Sequence, residues 1–460
     1  MERVSDLDAL FLAGETPAQH LHVLATLLLD RSAIRGSDMY ELLQSRVAER
    51  FHLIEPLRRR VQPVHVGRPL WIDDAAMHLQ GHLHHVALAE GSGLEGLARK
   101  AGDIASCPLS RDRPLWEAWL VDGVEKDQVA VIVKIHHAAV DGVSGIFALS
   151  AFFDLEPFPD APAESTTWRP EPAPGPVEVA RAVMEDMRRR PGVVARGLAR
   201  VLTSGSALVR ARSAEAPLPL TGPRLSYNRS LTARRSVAFT RISLDDVREL
   251  RQATNVSVND VLVALCAGVL RRYAMECDEL PDRPLVAGVP VAERKAEDGA
   301  GGNRFSFMFY GLPVHLEDPL ERLSFVHRSS AVVKDLYAKT GEGLFASVAA
   351  LAPMAMVGPV LRGMSALRLG SVFPPVINVL ISNIRGPDIP LFVAGAELTS
   401  IFPMGPLVEG VGLGITAVSY RDEVAFGFMA CADLVPDVQE LAAGTNLEVI
   451  RMLDSVRRPG

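Results

Sequence analysis

The stretch QVAVIVKIHHAAVDG, Gln128 to Gly142, decides how the rest of the chain is read. Its first eight residues, Gln128 to Ile135, form an apolar run of strand length rich in Val and Ile, the pattern of a strand covered on both faces. Apolar residues then recur at helical spacing from Gly142 to Phe153, which predicts a helix. Between the two lies a tight turn carrying two imidazoles and a carboxylate, His136, His137 and Asp141. A mixed α/β fold follows. Successive side chains of an extended backbone point to opposite sides, so only one of the two histidines faces a given cavity. His137 is the one expected there.

A neutral imidazole titrates near neutrality, so a positioned one can take the proton from an alcohol as that alcohol attacks a carbonyl carbon. His137, His136 and Asp141 form the candidate catalytic set, with His137 as general base. Asp141, beside Gly142 at a helix start, is expected to act structurally through an ion pair with an arginine. Gly142 permits close backbone approach to a substrate or a positive φ. Neighbouring histidines in a turn are also common as structural or metal-linked groups. A catalytic zinc site needs about three convergent ligands, and adjacent histidines rarely converge, so no metal is expected. The chain holds its own control in His84-His85. No Asp-Gly follows that pair, and an ordinary surface-strand setting is expected for it.

Outward from this centre, 460 residues exceed the length at which one hydrophobic core keeps growing. Two packed subdomains are expected, residues 1–170 and 226–460, joined by a crossover over 171–225. Seven prolines between Asp154 and Pro176 disfavour helix and central strand and mark the boundary. Val177 to Arg212 reads as an arginine-rich helix broken once at Pro191-Gly192, its charge either a solvated face or an attraction to an anionic membrane surface. A net charge of −7 argues against a nucleic-acid partner. Four scattered cysteines, Cys107, Cys266, Cys277 and Cys431, offer no disulfide or zinc spacing. Met1 to Phe11 lacks the features of a signal peptide, which predicts a cytoplasmic chain. Leu344 to Leu361 carries no charge but is interrupted by Pro353, Gly358 and Pro359, which predicts a buried or interfacial helix pair rather than a span.

In the second half, strands are expected at Val237 to Ile242, Leu285 to Val289, Phe305 to Leu312, Ile377 to Ser382, Gly412 to Ser419 and Val424 to Cys431. Ser257 or Asn259 can cap a helix from Asp260 to about Tyr273. No G-x-S-x-G elbow supports a serine nucleophile.

Taken together, LDALFL (Leu7 to Leu12), Pro114-Leu115-Trp116, HHAAVDG, Asn259-Asp260, Val289-Pro290-Val291-Ala292-Glu293-Arg294, Gly302-Asn303 and Ser382-Asn383-Ile384-Arg385-Gly386-Pro387 run in order along the chain, with Ser419-Tyr420 and Leu434 to Asp437 closing the series. In this the sequence resembles the bacterial wax ester synthase/diacylglycerol acyltransferase family, itself similar to condensation domains that share a His-His-x-x-x-Asp-Gly signature. The resemblance implies two chloramphenicol-acetyltransferase-like halves with a tunnel between them, each a mixed sheet with helices. It implies His137 as base, Asp141 paired with Arg294, and a site lined by Gly142, Asn259, Asp260, Ser382 and Asn383. Arg385 departs from the pattern of many relatives, and its role is left open. The implied substrates are acyl-CoA, as co-substrate with no further cofactor, and a diacylglycerol or long-chain alcohol drawn from a membrane or lipid-droplet surface. A different acceptor, or a catalytically silent lipid-binding protein, are the competing readings. Leu344 to Leu361 is a candidate lining of the cavity, with core packing as its alternative.

Overall fold

The apolar runs become strands of three sheets. The computed structural model describes residues 1–140, 150–159, 168–210, 212–292, 305–340 and 344–457. Its strands are β1 (Glu2–Arg3), β2 (His22–Asp30), β3 (Arg59–Gln62), β4 (Leu70–Asp73), β5 (Leu83–Ala87), β6 (Trp116–Glu125) and β7 (Gln128–His136) in the first half. The second half holds β8 (Arg235–Ser243), β9 (Leu285–Ala292), β10 (Phe305–Leu312), β11 (Val379–Arg385), β12 (Phe392–Val393), β13 (Ala396–Met404), β14 (Leu413–Tyr420) and β15 (Glu423–Cys431).

Two six-stranded sheets dominate, in the orders β12-β13-β2-β7-β6-β5 and β10-β9-β11-β14-β15-β8, beside a small sheet β1-β4-β3. The expected mixed α/β architecture of two sheets with helices is thus present. β7 sits inside the first sheet, antiparallel to both β2 and β6, and is buried from Val129 to His136. That is why its sequence lacks alternation. In the second sheet β11 runs parallel to β9 and β14, while the other pairs are antiparallel.

The halves interlock. Hairpin β12–β13 comes from late in the chain yet completes the first sheet, with β13 antiparallel to β2 from Glu397↔Asp30 to Met404↔Leu24. One continuous hydrophobic cluster therefore holds Leu28, Val131 and Ile132 of the first sheet together with Ile384, Val418 and Met429.

Two sequence expectations shift. The crossover helix, Pro176–Arg210, runs through Pro191-Gly192 without a break. Proline removes the N–H that would bond the Met187 carbonyl, but Met187 and Pro191 lie on the exposed side, where water can replace that bond. On the other side Arg190 anchors the helix by bonding Asp6 and the Ala350 and Ala352 carbonyls. The strand expected from Ile377 begins instead at Val379. Before it, buried Asn378 exchanges backbone and side-chain hydrogen bonds with Val286, at 2.7 and 2.8 Å. Of the helix expected from Gly142 to Phe153, residues 142–149 lie outside the described residues, and Ser150–Phe152 is a 3-10 turn.

Ser257, rather than Asn259, caps the helix Val258–Glu276. Leu344 to Leu361 forms the expected pair, Leu344–Leu351 and the start of Met354–Ala366. Among the described residues no single helix is long and apolar enough to cross a membrane.

Candidate active site

Three hydrogen bonds fix the end of β7. The His136 N–H donates to the Leu115 carbonyl at 2.9 Å, the His137 N–H to the Leu21 carbonyl at 2.9 Å, and the Ala139 N–H to the His136 carbonyl at 2.9 Å. The first of these explains why Pro114-Leu115-Trp116 and the histidines belong together. Trp116 pairs with Ile135 across the β6–β7 ladder, and its indole donates to the Leu57 carbonyl at 2.9 Å. Leu115 packs with Ala138 and with Ala9 and Leu12 of the helix Asp6–Gly14. That helix is the LDALFL element, capped by Ser5, whose hydroxyl accepts the Asp8 N–H. Motifs far apart in sequence thus meet at one turn.

The two histidines enter different surroundings, as strand alternation requires. His136 is fully buried. Its Nδ1 accepts the Ala138 N–H at 3.1 Å, and its Nε2 lies 4.0 Å from a Glu15 carboxylate oxygen. Burial, with lesser contributions from Arg111 and His137, holds its pKa well below that of a free imidazole. His137 is half-buried, its ring stacked on Phe11 with centroids 4.5 Å apart.

Phe11 is the link to the second half. It packs against the buried pair Leu7 and Ala349, as do Leu10 and Phe307, and Phe307 sits opposite Pro290 in the β9–β10 ladder. The turn bearing His137 therefore faces the junction of the two halves, beside β10 and the helix Leu344–Leu351.

Behind the turn lies a group that the sequence reading did not single out. Glu15 takes hydrogen bonds from Arg111, including Nε at 2.7 Å. His22, paired with His136 across the β2–β7 ladder, has its Nε2 3.8 Å from Glu15. His20 stacks on His22 at 5.6 Å. Burial first, then Arg235, pushes the His20 pKa down to about 4. Burial, then His136, holds that of His22 well below the ordinary value, and burial raises that of Glu15 against the pull of Arg111. The alternation His20-Leu21-His22 entering an apolar strand was the available signal, since burying two imidazoles requires a reason.

The remaining expected residues divide. Asp141, Gly142, Glu293, Arg294 and Gly302-Asn303 lie outside the described residues, and the Asp141–Arg294 pair with them. Asn259 is half-buried at the start of the helix Val258–Glu276. Asp260 has structural partners. It closes a capping box, its carboxylate accepting the Ser257 N–H at 3.1 Å and pairing with His327 Nδ1 at 3.0 Å. Burial raises its pKa, but the bonds from His327 and Ser257 outweigh that and leave it below the usual value. Ser382 and Asn383 are half-buried on β11, opposite Thr416 and Ala417. Their strand reaches the shared core through Ile384, and Arg385 is exposed. The pair His84-His85 sits on edge strand β5, His84 against Trp119 and His85 bonded to Asp122 at 2.6 Å.

Comparison with known proteins adds the relationship. The family model for the wax ester synthase/diacylglycerol acyltransferase catalytic domain matches residues 4–262, and the model for the family's C-terminal domain matches 301–451. A Mycobacterium tuberculosis protein that carries the name diacylglycerol O-acyltransferase as a provisional assignment is 36% identical over 454 residues, covering 96% of this chain and 88% of its own. A second from the same organism is 32% identical over 461 residues, covering 98% and 96%. The solved structure of a wax ester synthase/diacylglycerol acyltransferase from Marinobacter aquaeolei VT8 superposes with a TM-score of 0.70 at 25% identity, covering 99% of this chain and all of that one. The first condensation domain of the calcium-dependent antibiotic synthetase shares the fold at a TM-score of 0.60 and 17% identity, covering 100% and 97%. With a family model over more than half its length and relatives a third identical along nearly all of it, the chain belongs to the wax ester synthase/diacylglycerol acyltransferase family and is an acyltransferase.

Proposed function

We propose that the protein transfers a long-chain acyl group from acyl-CoA to the hydroxyl of a diacylglycerol or a long-chain alcohol, with His137 as general base. The acceptor comes from a lipid phase, at a membrane or lipid-droplet surface. His137 takes the hydroxyl proton as the oxygen bonds to the thioester carbonyl carbon. The tetrahedral intermediate then expels sulfur, and the coenzyme A thiolate recovers the proton from the imidazolium. Ester and free coenzyme A balance the reaction without an acyl-enzyme. Asn259, Ser382 and Asn383 are assigned to the substrate side of the same site, and Asp141 with Arg294 to holding the turn.

The observation that carries this reading is the contrast at the end of β7. His136 is sealed and spends its Nδ1 on the Ala138 N–H, whereas His137 is half-buried against Phe11, where the halves meet. The apolar cluster that Phe11 joins, with Leu7, Leu10, Phe307 and Ala349, suits an acyl chain. A cysteine nucleophile finds little support. Burial raises the Cys266 thiol to about 12, and only the thiolate attacks.

The test is purified protein with palmitoyl-CoA and a panel of acceptors, following thiol release and ester formation. His137→Ala should lower kcat by about 10² to 10⁴. A folded His137→Ala chain that esterifies at the unaltered rate would refute the assignment.

A further inference from the structure

We propose that the outward face of the helix Pro176–Arg210, with the exposed side of Met354–Ala366 and the segment after it, is the surface that docks on an anionic lipid interface. The inference rests on the reading that the acceptor is a lipid, and it names the face through which that lipid is met.

The crossover helix is apolar on its outward side as well as its inward one. A helix lying on a water-soluble protein ordinarily turns its apolar stripe inward and its charges out. Here the inward side does carry half-buried valines, Val179, Val183, Val193, Val194 and Val201, around two sets of ion pairs, Asp186 with Arg68 and Arg3, and Arg190 with Asp6. The outward side carries Val177, Met184, Leu198 and Leu202, the second and last both 65% exposed. Interleaved with them on the exposed surface are Arg181, Arg188, Arg196 and Arg200. Exposed apolar side chains set among arginines match an interface with a greasy interior and a negative headgroup layer. Water alone rewards only the arginines.

A second stretch repeats the combination. From Leu344 to Pro387 the sequence contains no acidic residue and three arginines, although the whole chain is net acidic at −7. Leu367 is 71% exposed and Phe373 is 55% exposed, with Met356 and Val360 also exposed on the helix Met354–Ala366. The two stretches meet. Gly197 of the crossover helix packs against the Ser347 carbonyl and Leu351, and Arg190 ties the same helix to Asp6, Ala350 and Ala352. Asp6 begins the helix that carries Phe11, and Gly358 lies against the Ala13 carbonyl of that helix. A lipid at this face is therefore one helix away from the ring stacked on His137.

The experiment is flotation of the full chain with vesicles of equal parts phosphatidylcholine and phosphatidylglycerol, against phosphatidylcholine alone. The unaltered chain should float with the anionic vesicles and be released by salt. Replacing Arg188, Arg196 and Arg200 by Gln together should weaken binding about a hundredfold, and Leu198→Glu with Leu202→Glu should abolish it. Both variants should keep the unaltered melting temperature and the unaltered rate on a short soluble alcohol, while losing transfer to vesicle-borne diacylglycerol. Flotation untouched by either variant would overturn the proposal, as would an unaltered chain that stays in the lipid-free fraction. Self-association lost in Leu198→Glu/Leu202→Glu without any vesicle binding would assign the face to a second copy instead. Absence of acyl transfer on every acceptor, with flotation and its variants behaving as stated, would sink the enzymatic reading and leave the docking face standing.

Discussion

His136 accepts a backbone N–H at Nδ1, so its single ring proton in the neutral state sits on Nε2 and points toward Glu15. The Ala138 N–H thus selects the tautomer, and the carboxylate, held by Arg111, lies on the side of the Nε2 proton behind the residue that precedes His137. Glu15→Ala should lower kcat by up to ~10² with KM nearly unchanged, because the reacting imidazole is displaced rather than removed. Steady-state kinetics with palmitoyl-CoA would measure this, and a folded variant with normal kcat would show that His136 needs no carboxylate. The same buried group sets an acid limit on the fold. His20, His22 and His136 all have folded-state pKa values below that of an unfolded histidine, about 6.5. The unfolded chain therefore binds protons that the folded one refuses. Stability from this source is complete above about pH 6.5 and declines as the pH falls toward the His20 value of about 4 and below. Melting temperatures taken across that range should drop on the acid side, and His20→Phe should make the drop shallower.

At the scale of elements, one close approach between the two large sheets falls on a glycine. Gly427 of β15 lies against the Pro403 carbonyl of β13, where an added Cβ would land on that oxygen. A backbone oxygen within a ladder cannot swing aside, so Gly427→Ala should cost about 1 to 3 kcal/mol in denaturant unfolding. Gly205→Ala, in the crossover helix with open space around its Cβ position, should instead gain up to about 1 kcal/mol. Elements like these differ in how far their sequence announces them. β7 and the helix Val258–Glu276 were legible because their signals are local, an unbroken apolar run in one case and Ser257 before Asp260 in the other. Hairpin β12–β13 was not read as part of any sheet. Its partner β2 is hundreds of residues earlier, and Pro403 within β13 argues against a paired strand. Pro191 misled in the opposite direction, because a proline on the wet side of a helix loses a bond that water restores.

At the scale of the whole molecule, the candidate site was legible as a set of separate motifs, and the fold supplies the reason for their association. LDALFL contributes the Phe11 ring, Pro114-Leu115-Trp116 fastens the end of β7, and the histidines occupy the turn beyond it. Glu15 and Arg111 stayed hidden because their pairing spans 96 residues with no periodicity to mark it. The interlocked hairpin has a consequence for synthesis. A ribosome that has delivered β2 and β7 has yet to make β13, and until residue 404 emerges the nascent first sheet presents the backbone of β2, with its Leu24 to Leu29 side chains, to whatever surrounds it. The order of translation thus leaves a sticky border open for most of the chain's birth, a window in which the newborn half is exposed to pairing with its neighbours on the polysome.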